Sequence, residues 1–384
     1  MTIPTPNQGP GPAPDAGWYG DPWGVAAWRW WDGRTWTALT SPTTARRKPR
    51  LPAWLSVPVL LGALVAVPVS IYTTVVAPIA VALALIPLCF LLPTFRWLDR
   101  VEPEPRSSRF HAVAWGAFVA TSVSGVVNTV VALGAGEAVA AVVSAPLVEE
   151  STKGLGILWA VRRGEVDGVM DGIVYAGWTA VGFALVENFE YFMRAHEQGP
   201  GVLLSVFFVR GLMTPFAHPL FTVWTGRAIG RAIADGRPAS RGAMRGLPLA
   251  VLTHALWNGS ITLSGETGGP VVVASLLGFV VLFVVAAVMV TDSRAAERRR
   301  FLTLVPFLAR RYGIDPSQVA VFVDWRSLLA ARRALPRSRR HAFDAVHASL
   351  ARLAALHSRS AGYQPADERR LVEQLHRAWD AARV

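Results

Sequence analysis

Apolar positions in this 384-residue chain fall in long unbroken runs, not at the one-face spacing of a soluble amphipathic helix. Residues 51–95 carry no charged side chain. As helix this stretch would extend roughly 65 Å, about twice the hydrocarbon thickness of a bilayer, so it must cross twice. Ser70-Ile71-Tyr72-Thr73-Thr74 is the expected turnaround. Further runs predict spans near 109–133, 137–161, 169–192, 202–229, 246–264 and 270–291. The expected fold class is all-α: a polytopic membrane helix bundle of about eight spans, with a small N-terminal β-hairpin module and a C-terminal cytosolic helical tail.

The flanks differ in pattern. Residues 1–16 are rich in Pro and Gly and are expected to form a disordered tail. Residues 17–40 hold six of the fifteen tryptophans, and the runs Trp28–Trp31 and Thr35–Leu39 flank Asp32-Gly33. That pattern predicts a β-hairpin in a small Trp-rich module. Residues 41–50 form a basic linker, residues 51–292 the membrane domain, and residues 293–384 a polar, Arg-rich tail. In the tail, Ser327–Leu335 and Arg339–Leu356 have helical periodicity. His341, His347, His357 and His376 are scattered there without a ligand pattern and read as solvated surface.

Composition strengthens the membrane reading. Hydrophobic types make up 52% and charged types 17%, and mean hydropathy is +0.35. The net charge of +12 sits beside the apolar runs, which favours a topology signal and anionic lipid over nucleic acid. With a cytoplasmic N-terminus, nineteen arginines and lysines fall in inside segments and only Arg194 outside, so both termini are expected in the cytoplasm of a multi-pass cell-membrane protein. The single cysteine, Cys89, excludes an internal disulfide framework and reads as core. The first residues lack a charged-then-apolar start, so no cleavable signal peptide is expected.

Four polar stretches interrupt the apolar spans: Leu147–Gly154 with Glu149, Glu150 and Lys153; Phe183–Tyr191 with Glu187 and Asn188; Ala217–Thr222 with His218; and Thr253–Gly259 with His254 and Asn258. An ionised side chain at the bilayer centre costs at least about 2.5 kcal/mol, so these stretches should face one another across a polar interior. Glu149 and Lys153 are i,i+4 and share a face, whereas Glu150 lies about 100° around the helix and is free to point elsewhere. Carboxylate with imidazole is the set that holds a divalent metal or activates water as a general base. No HExxH is present, and neither Ser144 nor Ser151 sits in a GxSxG turn. Glu187 falls nearer the outer end of its span, within reach of Arg210 on the next, and Asp167 and Asp171 read as caps.

In order along the chain, Glu149-Glu150 with Lys153, Phe183 with Glu187-Asn188, His218, and His254 with Asn258 resemble the motifs of the PrsW family of intramembrane proteases. The Asp99–Pro105 segment looks like the loop that the family carries before its next span. The family is related to type II CAAX prenyl endopeptidases and CAAX-like membrane proteases. The Trp18–Trp36 pattern resembles a second family, a Trp-rich domain of unknown function found in actinobacterial membrane proteins, which implies a protein partner for that module.

The PrsW resemblance implies an intramembrane endopeptidase acting on a membrane-anchored protein, with an anti-sigma factor as the family's substrate type. Glu149 or Glu150 is then the general base, and Lys153 holds the other carboxylate ionised. In a metal version His218, His254 and Glu187 bind a divalent ion, zinc by the family label. In a metal-free version His218 orients the water, and His254 with Asn258 stabilises the oxyanion. The competing readings are a proton-coupled transporter, which calls for an inverted repeat that the motifs do not show, and a non-catalytic membrane scaffold or sensor.

Overall fold

The computed structural model describes residues 17–22, 28–31, 34–41, 57–267, 269–358 and 365–382. The expected tail at 1–16, the Asp32-Gly33 turn and all but the first residue of the linker lie outside them. Three short strands, β1 (Gly17–Gly20), β2 (Trp28–Trp31) and β3 (Trp36–Ser41), pair antiparallel in that order. The ring of Trp36 meets those of Tyr19 and Trp31 edge-on at 6.0 and 5.3 Å, a contact suited to aromatic residues on one sheet face.

The rest of the described chain is helical. The helices are α1 (Val57–Val76), α2 (Pro78–Leu85), α3 (Leu88–Leu98), α4 (Arg106–Ala114), α5 (Thr121–Ala135), α6 (Glu137–Val139), α7 (Ala145–Arg162), α8 (Val169–Glu197) and α9 (Pro200–Phe207), then α10 (Ala217–Ala234), α11 (Ala239–Thr267) and α12 (Gly269–Arg311). Wider i→i+5 turns occupy Trp115–Ala120, Ala140–Ser144 and Phe208–Met213. Among the described residues, six segments are long and apolar enough to cross a membrane: 57–76, 78–98, 106–135, 169–197, 200–234 and 270–311. The other two expected spans, 137–161 and 246–264, are helical too, and they carry Glu149, Glu150, Lys153 and His254. This is an all-α helical membrane protein.

The first turnaround lies later than the pattern suggested. Ser70, Thr73 and Thr74 donate to the carbonyls of Ala66, Val69 and Ser70, so their hydroxyls are satisfied within α1 and demand no water. The chain turns instead at Ala77, where the following proline disfavours helical geometry; φ and ψ there are −137° and 67°. Cys89 is exposed on the outer surface, not in the core. In a membrane bundle the apolar side faces lipid, so an apolar run does not by itself place a residue inside. Leu64 and Val75, 72% and 76% exposed, show the same inversion.

Helix α8 is the central element: 89% of its most apolar window is buried. Ile173, Val174, Tyr175, Trp178 and Val181 pack with Leu91, Phe95, Ile157, Val223 and Phe279. Of the two carboxylates expected to cap its N-terminus, Asp171 does so, accepting from the N–H of Asp167 and Gly168 at 2.7 and 2.8 Å. Helix α10 approaches so closely that a Cβ on Gly172 would lie 2.1 Å from the Gly226 carbonyl oxygen.

The chain divides into two compact units, one of residues 50–298 and a second of 1–49 with 299–384. Helix α12 runs on through position 293 to Arg311. The second unit contains α13 (Pro316–Val319), α14 (Trp325–Ala334), α15 (Arg337–Ser358) and α16 (Pro365–Ala382). Val305, Leu308, Leu350, Leu353 and Leu375 are buried there. His341 and His376 are exposed, but His347 is buried with its ring stacked on Phe322, against the surface reading. Its face of α15 is the apolar face, and an imidazole stacks there as an aromatic.

Candidate active site

Helix α7 brings the carboxylates inward. Just before it, the N–H of Ala145 bonds to the carbonyl of Ala140, and Pro146 has no N–H to offer Ala141. The Asn258 amide on α11 fills that gap, donating to the Ala141 carbonyl at 2.8 Å. A turn further on, Glu149, Glu150 and Lys153 are all buried, with Glu150 and Lys153 wholly so.

The Lys153 ammonium is the hub. It lies 2.9 Å from Glu150 Oε1, 3.4 Å from Glu149 Oε2 and 3.0 Å from His218 Nδ1, and 3.8 Å over the Phe183 ring. An ammonium only donates, so His218 Nδ1 accepts and the ring proton sits on Nε2. From Nε2 it donates to Glu187 Oε2 at 2.7 Å. Glu150 is the most heavily bonded carboxylate: it also accepts from the Thr222 hydroxyl at 2.8 Å and from His254 Nδ1 at 3.1 Å. His254 Nε2 therefore keeps its lone pair and points it toward Glu149 Oε2, 3.9 Å away. The His254 ring stacks on Phe221 at 4.6 Å, which fixes its plane.

Helix α10 starts after a break that places His218 at its second position. The break follows from Pro215: the preceding N–H, on Thr214, reaches back five residues to Val209, and the ladder cannot continue. Irregular backbone at this depth is tolerated where it lines a polar cavity. A small cavity does lie here, lined by Glu187, Tyr191, Arg210, His218, His254 and Asn258 among others. Arg210 bonds to Glu187 and, through Nε, to Asn188 at 3.1 Å.

Six of the seven residues singled out from sequence thus meet in one cluster built from α7, α8, α10 and α11. Glu150 does not point elsewhere; it is i,i+3 to Lys153, a neighbouring position on the helix surface, and the two pair. The amide of Asn258 is turned to the Ala141 carbonyl while the residue still lines the cavity. Sequence reasoning gave no role to Thr222, although it lies one helical turn, i+4, after His218. One ligand atom each from Glu149, His218 and His254 lies within 4.8 Å of the others, a donor set and spacing that suit a divalent metal. Glu187 is outside that trio and contacts His218 instead.

Residues 104–289 match the profile of a family described as PrsW family intramembrane metalloprotease. The chain is also similar to Protease PrsW of Geobacillus kaustophilus (strain HTA426), at 31% identity over 145 residues. That alignment covers 37% of this chain and 61% of the relative. No solved structure matches the chain.

Proposed function

We propose, from the premise that this chain belongs through residues 104–289 to the PrsW family, that it is a membrane-embedded endopeptidase which hydrolyses a membrane-anchored protein. The observation that carries the reading is the convergence of Glu149, Glu150, Lys153, Glu187, His218 and His254 from four helices in one buried cluster. A purely structural ion pair needs two such groups, and a cluster of six, of which Glu187, His218 and His254 line a cavity, calls for chemistry.

Glu149 is the general base in this reading. Among the described residues its side chain has one hydrogen bond, the long one to Lys153, and it faces the lone pair of His254. A water held between the two loses its proton to Glu149 as its oxygen adds to the scissile carbonyl. The C–N bond then breaks, and Glu149 returns the proton to the leaving amine. Glu150, saturated by Lys153, Thr222 and His254, keeps those partners in place. Asn258, with one N–H on Ala141, supplies the other to the oxyanion. By family resemblance the substrate is of the anti-sigma-factor type, and by the charge bias of the connecting segments both termini are cytoplasmic.

A second reading is favoured by the Glu149–His218–His254 trio. These three would hold a divalent ion, which when bound would acidify a water and polarise the carbonyl. Both ring nitrogens of His218 are already engaged, Nδ1 by Lys153 and Nε2 by Glu187, so His218 would have to give up one of these partners for the ion. That competition leads us to prefer Lys153 as the resident positive charge.

The test uses cells lacking the gene, complemented with the wild type or with Glu149→Gln. New N-termini in membrane-anchored proteins should form only with the wild type. Identical N-termini with both would remove the protease reading. The cleaved protein then serves as substrate for purified enzyme with and without a chelator. Cleavage that persists supports the lysine-centred site; loss that zinc restores transfers the role to the trio.

A further inference from the structure

Arg210 is a cation held by one face of a neighbouring helix. It bonds to Glu187, its Nε donates to Asn188 at 3.1 Å, and its guanidinium lies 3.8 Å over the Tyr191 ring. Residues 187, 188 and 191 form that face of α8. The i→i+5 turn Phe208–Met213 that carries Arg210 is the segment just before the break leading to His218. A widened turn re-aims its side chains relative to a regular helix, and such turns recur at functional sites.

The consequence lies one bond further on. Glu187 Oε2 is shared: Arg210 donates to it from one side and His218 Nε2 from the other, at 2.7 Å. A carboxylate held by a guanidinium accepts strongly and in a fixed direction. That direction, together with the Lys153 ammonium at the other nitrogen, decides which ring nitrogen of His218 carries the proton. With the proton on Nε2, the lone pair of Nδ1 must face Lys153, 3.0 Å away, and Lys153 in turn reaches both Glu149 and Glu150.

We infer that Arg210 is a positioning residue of this site: through Glu187 it locks His218 in the Nε2–H form and so sets the place of Lys153 between the two carboxylates. Its effect on rate rests on the hydrolytic reading above; its effect on the ring does not. The lock works equally whether Nδ1 faces the ammonium or a metal, because either needs the same free lone pair.

The test is ring-¹⁵N spectroscopy of the full-length protein in lipid bilayers, with the His218 signals identified by subtracting the spectrum of His218→Gln. The wild type should show a neutral ring protonated at Nε2. Arg210→Met should broaden or redistribute these signals between tautomers, and Arg210→Lys should retain much of the wild-type pattern. With the substrate identified by Glu149-dependent cleavage, kcat should fall about 10- to 100-fold in Arg210→Met with KM little changed. Added guanidinium ion should recover part of the rate in Arg210→Ala, which a loss of packing alone would not allow. If the Met variant does not fold, Arg210→Gln replaces it: the amide can serve Asn188 but brings no charge, and the same changes are expected. Wild-type His218 signals or a wild-type kcat in the folded Met or Gln variant overturns the inference. Cleavage that survives Glu149→Gln overturns the hydrolytic reading instead, while the spectra still judge Arg210.

Discussion

The two adjacent glutamates differ in their surroundings, and the difference makes separable predictions. Glu150 has three donors and Glu149 one. Glu149→Gln should lower cleavage by about 10²- to 10⁴-fold and leave the melting temperature of the purified protein unchanged. Glu150→Ala should cost about 3 kcal/mol of stability, read as a lower melting temperature, because it removes the shorter ion pair of a buried ammonium and leaves Thr222 and His254 without their acceptor. Equal melting temperatures for the two variants would reverse these roles. At this scale the i,i+4 spacing made the Glu149–Lys153 pair legible in the sequence. The i,i+3 spacing of Glu150 and Lys153 was as readable, but the bonds Glu150 accepts from Thr222 and His254 on other helices were not. Thr222 was hidden for another reason: a hydroxyl in a span satisfies itself on its own helix unless a neighbour offers a better acceptor, and only the fold shows the neighbour.

Elements carry the next tier of predictions, and proline is prominent in them. The repeated polar stretches identified which helices line the site, but the widened turn at Ala140–Ser144 became interpretable only with the hydrogen bonds in view. If Pro146 leaves the Ala141 carbonyl without a helical donor and Asn258 fills the gap, Asn258→Ala alone should cost about 1–3 kcal/mol. Adding Pro146→Ala supplies the missing N–H, so the double variant should melt above Asn258→Ala. Additive losses in this double-mutant cycle would sink the explanation. The contact of α8 with α10 is equally specific. Gly226→Val places atoms where a bare Cβ already comes within 2.2 Å of the Gly172 carbonyl oxygen, so it should lower both melting temperature and cleavage. In the second unit, burial lowers the pKa of His347 to about 4 from the usual 6.5. The unfolded chain therefore binds a proton between those values that the folded chain refuses, and stability falls as pH drops from 6.5 to 4 and levels off below. The shift corresponds to about 3 kcal/mol. His347→Phe should flatten this dependence in pH-dependent melts of the full chain followed by hydrogen exchange of α15.

Within the unit of residues 50–298 the outer surface is largely apolar and the ionisable cluster is inside, the reverse of a soluble protein. Composition announced that inversion, while the exact ends of the spans depended on hydroxyl bonding and on prolines that a hydropathy run does not resolve. Orientation was readable only as a charge bias, nineteen basic residues against one. The single native thiol makes this bias testable. Cys89 is exposed on the outer face of an apolar segment, where a charged maleimide in water has no access if that segment is in lipid. Any labelling of a variant then reports the introduced cysteine. Gln198 and Ser338 are both exposed, one in the connection between α8 and α9 and the other in α15. If the charge bias sets the topology, Gln198→Cys should react with a membrane-impermeant maleimide in intact cells. Ser338→Cys should react only after the membrane is opened, and the wild type in neither case. Labelling of Ser338→Cys in intact cells would place the C-terminal helices outside. The helices that carry the polar cluster would then cross the membrane in the opposite sense to the one that the arginines assign.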